Sequence, residues 1–188
     1  MEKYILSIKS YILVSSIVFL AGIILGYLLS YFFPNDVQVV VDHLKKAFEP
    51  LAQWHPIHKF IFVFLNNVST CFLVILLGIV FGIVPIFSCL LNGEILGVLA
   101  YLYPQNFLIK VLPHGIIEIP AFILAVACGI KIGKLALVKI LKRKKSINFR
   151  LEFTLTIRVL MKIIVPALII AAAIEIFITP YLVDIISL

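Results

Sequence analysis

The chain has 188 residues, 63% of them hydrophobic, a formal charge of +7 and a mean hydropathy of +1.21. Soluble domains are about 45–50% apolar, so this excess, with apolar runs of spanning length, defines an all-α polytopic membrane protein and excludes a soluble globular domain. It also excludes a nucleic-acid binder, whose basic residues would cover a polar surface with aromatics between them; here they sit beside apolar spans.

Residues 11–33 form the first predicted span, long enough for a tilted transmembrane helix. The run outlasts the roughly 7–15 apolar residues of a signal peptide and ends at Tyr31, Phe32, Phe33 and Pro34, an interfacial aromatic anchor and a stop. It is therefore read as an uncleaved helix, with Gly22 and Gly26 spaced for close packing on a neighbour. Residues 36–49 follow with Val37, Val40, Val41, Leu44 and Phe48 at helical spacing opposite Asp42, Lys45, Lys46 and Glu49, which predicts a short amphipathic helix at the interface. His55 and His58 are three apart, but Pro56 separates them and no carboxylate pair is near, so no metal centre is expected there and no cofactor elsewhere. Cys71, Cys89 and Cys128 lie in apolar stretches without zinc or disulfide spacing and read as core residues.

The apolar run over 60–91 exceeds one ordinary span and holds Gly78, Gly82 and Pro85. The preferred division is a helix over 60–82, a turn near Pro85 and a further span over 86–103. The alternative is a long kinked helix that breaks at Asn92-Gly93, a strong turn signal, and returns as a half-span. Either way this second and third span pair is irregular or re-entrant, and Asn92 and Gly93 are candidate helix-break or packing positions. The fourth span covers 107–131. Residues 131–150 hold eight of the sixteen basic residues and no acid, with Lys139, Lys142, Arg143, Lys144 and Lys145 as the dense run. The last span covers 153–178, so the whole chain is one membrane domain of about five spans.

The positive-inside rule places the basic segment in the cytoplasm, touching anionic lipid at about 1 kcal/mol per basic residue. Counting back puts the N-terminus inside and the C-terminus outside. The spans starting at 60 and 107 then enter from outside and the last one exits there. At 1.5 Å per residue, Asn66, Asn67, His114, Glu118 and Glu175 fall within about 8 Å of one another in depth, in the outer half of the bilayer.

Ionisable groups in such spans cost a few kcal/mol each, so this polar set is the candidate site. His114 and Glu118 are four apart and share a helix face. Pro113, Gly115 and Pro120 surround them; Pro120 frees the carbonyl of Ile116, and Gly115 permits a bend or close helix approach. Three uses stay open: a structural clamp bonded to Asn66 or Asn67, a ligand, lipid or ion site, and acid–base catalysis. For catalysis, a His-Glu-x-x-His zinc motif, a serine nucleophile elbow and phosphate-binding glycine motifs are all missing from the sequence.

The Asn66-Asn67 pair, Gly78-x-x-x-Gly82, Asn92-Gly93 with Gly97, and Leu112-Pro113-His114-Gly115-Ile116-Ile117-Glu118-Ile119-Pro120-Ala121 followed by Gly129 and Gly133 resemble the stage II sporulation protein M family of integral membrane proteins. The resemblance implies a bundle of about five spans. In endospore formers the family's namesake works with peptidoglycan-degrading partners during engulfment as a membrane scaffold, while many relatives occur in organisms that do not sporulate. The expected function is accordingly a non-enzymatic scaffold that organises membrane-protein partners, assembling as a homo-oligomer through small-residue helix faces. A transporter or channel-like protein for a small solute, ion or lipid is the alternative, and an intramembrane enzyme using His114 and Glu118 a further one.

The orientation is checked by single cysteines introduced over 139–145: they should be labelled only from the cytoplasmic side, and labelling from outside would overturn it.

Overall fold

The computed structural model describes residues 2–142 and 148–186. Among them every regular element is helical: α1 (Glu2–Ser7), α2 (Lys9–Phe32), α3 (Pro34–Phe48), α4 (Pro56–Leu76), α5 (Ile83–Leu102), α6 (Pro104–Lys110), α7 (Leu112–Lys142), α8 (Phe149–Val159), α9 (Val165–Ala173) and α10 (Thr179–Ile186). Five helical stretches are long and apolar enough to span a bilayer: Lys9–Phe32, Pro56–Ile79, Ile83–Leu102, Leu112–Leu141 and Phe149–Val183. Leucine, isoleucine and valine side chains such as Leu13, Ile17, Leu20 and Ile24 point away from the bundle, as lipid-facing surfaces require.

The first and third spans meet backbone to backbone. α2 packs along α5 through Gly22 and Gly26 on one side and Gly93 and Gly97 on the other. A Cβ on Gly93 would land on the Phe19 carbonyl, and one on Gly97 on the Ile23 carbonyl. Lipid tails are as apolar as leucine, so helices in a membrane gain by approaching closely rather than by hiding greasy surface. Cys89 adds a thiol contact to the Ser15 carbonyl at 3.3 Å. A second glycine interface joins the end of α4 and the 3-10 turn that follows it to α7, where Gly129 lies against the Val74 carbonyl and Gly78 against Gly129. α7, the most buried span, is the central post, touching α2, α4, α5 and α9.

Several boundaries differ from the sequence expectation. The chain turns at residues 80–82, before Pro85: a 3-10 turn (Leu77–Ile79) leads into Phe81 and Gly82, both with positive φ. Pro85 sits in the first turn of α5, where a helix does not need its missing N–H. α5 then runs unbroken through Asn92 and Gly93, so these residues do not break a helix; Gly93 is consumed by packing, and the Asn92 amide donates to the Ser88 carbonyl at 2.8 Å within its own helix. The fourth span begins at Leu112 after the separate α6 and continues through Pro120 to Lys142, well past 131, carrying Lys139 on its exposed face. The last span contains two π turns, Leu160–Ile164 and Ile174–Ile178. Each ends two residues before a proline, Pro166 or Pro180. A proline strips one intrahelical hydrogen bond and crowds the carbonyl four residues back, and a widened turn ahead of it makes room. The Thr179 hydroxyl donates to the Ile174 carbonyl at 3.1 Å, satisfying an acceptor in the second π turn.

The N-terminal helix is tied to the end of the bundle that carries the α7–α8 connection. Tyr4 and Thr156 share a hydroxyl–hydroxyl bond of 2.6 Å. Buried Lys131 pairs with Glu152 at 2.6 Å, donates to Ser7 Oγ at 2.9 Å and lies 4.0 Å above the Tyr4 ring. Burial pushes the Tyr4 phenol well above its usual range. At the opposite end, the exposed Lys45 of α3 donates to the Tyr103 hydroxyl at 2.5 Å; that bond lowers the Tyr103 pKa and raises that of Lys45.

The glycine contacts predict a sharp contrast. Gly97→Leu should destabilise the protein by about 2–3 kcal/mol or more, at or above the upper end for overpacked cores. Gly115→Ala should be tolerated, because its added Cβ would meet only Ile119 Cδ1 at 3.5 Å and Val111 Cγ1 at 3.9 Å. Thermal unfolding in detergent distinguishes the two.

Candidate functional site

Three spans bring their polar residues to one place. On α7, Pro113 occupies the first turn, and His114 and Glu118 project from one face a turn apart. On α4, Asn66, Asn67 and Thr70 form a polar stripe in an otherwise apolar helix. Glu175 lies in the second π turn of the last span. All six line a single cavity of about 430 Å³. Its walls also include Phe19 of α2, Asn92 of α5 and Phe122 of α7, with the Phe19 and Phe122 rings tilted against each other at a centroid distance of 6.4 Å. The lining reaches from buried Leu168 to exposed Lys110, so the cavity communicates with the surface at the end of the bundle that carries α3 and α6.

At its centre, ligating atoms of His114, Glu118 and Glu175 all lie within 4.8 Å of one another. His114 Nδ1 and Glu118 Oε2 are shielded from the exterior and have no hydrogen-bond partner among the described residues. A closed clamp would place these atoms on the amides of Asn66 or Asn67; those amides instead face the same empty volume. Two carboxylates this close, inside a membrane, repel one another unless a proton or a cation stands between them. The arrangement is thus under-satisfied, and Asn66, Asn67 and Thr70 give the space beside it polar groups.

The other predicted positions fall outside this centre. Gly115 borders the cavity without a close neighbour from another helix, so it keeps the wall open and does not serve close packing. Pro113 and Pro120 sit within the continuous α7. Lys139 and Lys142 are at the far end of α7, and Arg143, Lys144 and Lys145 lie outside the described residues. Sequence reasoning missed Thr70 and Lys110 as lining residues. Thr70 had a signal, its i+4 spacing from Asn66; Lys110, at the end of a short helix before the span, had none.

A helical bundle of five spans built around a polar cavity is a multi-pass membrane protein. Residues 15–180 match the family described as Stage II sporulation protein M, and the chain belongs to that family. Among its relatives are two proteins of Methanocaldococcus jannaschii. Uncharacterized protein MJ0706 is 31% identical over 129 residues, 65% of this chain and 58% of that protein. Uncharacterized protein MJ0793 is 29% identical over 163 residues, 83% of this chain and 88% of that protein. The chain thus matches little more than half the length of the first relative. No solved structure matches it.

Because Glu118 Oε2 and His114 Nδ1 lack partners, removing them relieves a cost. Glu118→Gln and His114→Ala should each leave the melting temperature in detergent unchanged or raise it, as expected where a site trades stability for function. A fall of about 1–2 kcal/mol in both, the usual loss for a satisfied buried hydrogen bond, would restore the clamp.

Proposed function

We propose that this protein handles a small cation within the membrane, admitting it from the end of the bundle that carries α3 into the cavity formed by α4, α5, α7 and the last span. The observation that carries this reading is the convergence of His114, Glu118 and Glu175 within 4.8 Å at a cavity wall, with buried acceptor atoms left unpaired. Carboxylates reject anions, and Asn66, Asn67 and Thr70 supply neutral groups that replace part of a cation's hydration shell. No ion pair joins Lys110 to Glu118 or Glu175 among the described residues, so these carboxylates are left for what enters. In this reading the cavity mouth faces outside and the basic segment of residues 131–150 lies in the cytoplasm against anionic lipid, with the N-terminus on the same side.

The scaffold role of the family's namesake is the second reading. It rests on family membership and calls for partner proteins or self-association. The small-residue faces that would support a homo-oligomer are engaged inside this chain, Gly22 and Gly26 against α5 and Gly78 against α7, so a scaffold would use other surfaces.

The test is thermal stability of the purified protein across a panel of small inorganic and organic cations and matched anions. Cations should stabilise it in a concentration-dependent way, by about 1.4 kcal/mol at ten times the dissociation constant, and the double variant Glu118→Gln/Glu175→Gln should lose the effect. Equal stabilisation by anions, or by cations in the double variant, would refute the proposal.

A further inference from the structure

We propose that His114, Glu118 and Glu175 bind one divalent transition-metal ion inside the membrane, through an imidazole nitrogen and one oxygen from each carboxylate. This rests on the reading of the cavity as a cation site and names the ion's class. It also goes beyond the sequence expectation, which considered a metal only at His55 and His58 and left the intramembrane cluster open as a clamp, a ligand, lipid or ion site, or a catalytic pair.

Charge is the first argument. With both carboxylates ionised and the imidazole neutral, the three side chains carry two negative charges. A divalent ion makes the loaded site neutral, which is the cheapest state for a charged cluster in hydrocarbon. A monovalent ion leaves one charge uncompensated.

Donor chemistry is the second. An imidazole nitrogen favours zinc, iron, copper or nickel, whereas magnesium and calcium prefer all-oxygen sets. Three protein ligands with an open position are the pattern of metal sites that exchange a water or substrate, unlike the four-ligand closed sites of structural zinc. Asn66, Asn67 and Thr70 line the same cavity as the three donors and would be the groups available to hydrogen-bond a water or substrate on a bound metal.

Geometry is the third. Zinc ligands stand about 2.0–2.2 Å from the ion, so their donor atoms are about 3.5 Å apart in a tetrahedron. The observed spread reaches no more than 4.8 Å, a gap that rotation of two glutamate side chains can close without moving a helix. His114 and Glu118 are fixed on one face of the central helix α7. Glu175 comes from a π turn, a feature found mostly as a local insertion at functional sites. Two rigid elements thus hold the three donors, and His114 Nδ1 and Glu118 Oε2 are buried and unpartnered.

The experiment uses the full chain in detergent, stripped with chelator, equilibrated with Zn²⁺ or Mn²⁺, desalted, and measured for bound metal and melting temperature. Wild type should retain one ion per chain and melt higher with metal than without. His114→Gln and Glu175→Gln should each weaken binding by about 100-fold or more, beyond the 10–100-fold typical of losing a group that only supports a ligand. His55→Ala/His58→Ala should bind as wild type does, and excess Mg²⁺ should not compete. Only monodisperse, folded variants are scored, and Glu118→Asp, which keeps the charge but shortens the reach, serves as a further ligand variant expected to bind more weakly. Wild type retaining neither metal, or His114→Gln and Glu175→Gln retaining as much as wild type, would overturn the proposal. If metal fails while organic cations still stabilise wild type, the metal is wrong and the cation cavity stands; if neither acts, both fall.

Discussion

The close approach of α2 to α5 is the constraint on which the rest depends. Helices in lipid have no hydrophobic drive toward one another, so contact must come from shape. Four glycines let two backbones touch along more than a full helical turn, with Gly22 and Gly26 against Leu90 and Glu94, and Gly93 and Gly97 against Phe19 and Ile23. That contact fixes Phe19 and Asn92 on one wall of the cavity. The α4–α7 glycine contact fixes the opposite wall, bringing the Asn66, Asn67 and Thr70 stripe alongside His114 and Glu118. With both pairs locked, the space between them cannot collapse onto its polar lining.

That rigidity explains how a membrane protein keeps an unsatisfied site. An ionisable side chain at membrane depth costs a few kcal/mol even on lenient scales, and unpaired buried acceptors add to it. A looser bundle would relax by turning His114 or Glu118 toward an amide. Here the amides border the same void, and Glu175 is held on a π turn that Pro180 and the Thr179 hydroxyl both support. The cost falls on the site, and the stability that offsets it comes from glycine packing elsewhere and from the Lys131–Glu152–Tyr4 cluster at the opposite end.

Much of this was legible in the residues. Five apolar runs gave the spans, and the amphipathic pattern of Val37, Val40, Val41 and Leu44 gave α3, because hydropathy and helical periodicity are local properties. The four-residue spacing of His114 and Glu118 gave their common face. What stayed hidden depended on pairing between distant segments. Asn92-Gly93 reads as a turn in isolation; only the presence of Phe19 across the interface shows that Gly93 is a contact. Gly115 reads as a packing glycine, yet a side chain there would meet only Ile119 and Val111. The two π turns were hidden because a proline in an apolar run signals a kink without saying how the chain absorbs it. Local sequence also separates Glu175 from His114 by an entire span, and their distance follows only from how α7 packs on the last helix.

The central claim is that a wet, cation-accepting cavity sits inside the bundle, distinct from its lipid-facing surface. The most direct measurement, made with Cys71, Cys89 and Cys128 replaced by alanine, places a cysteine at Thr70, in the cavity wall, and another at Ile24, which is 61% exposed on the outer surface of α2. Each is treated with a small water-soluble cationic thiol reagent. Thiolate forms only where water reaches the sulfur, so Thr70→Cys should react at least about tenfold faster than Ile24→Cys. Equal rates, or a slower reaction at Thr70→Cys, would mean that the polar residues close around a dry core, and the account would be wrong.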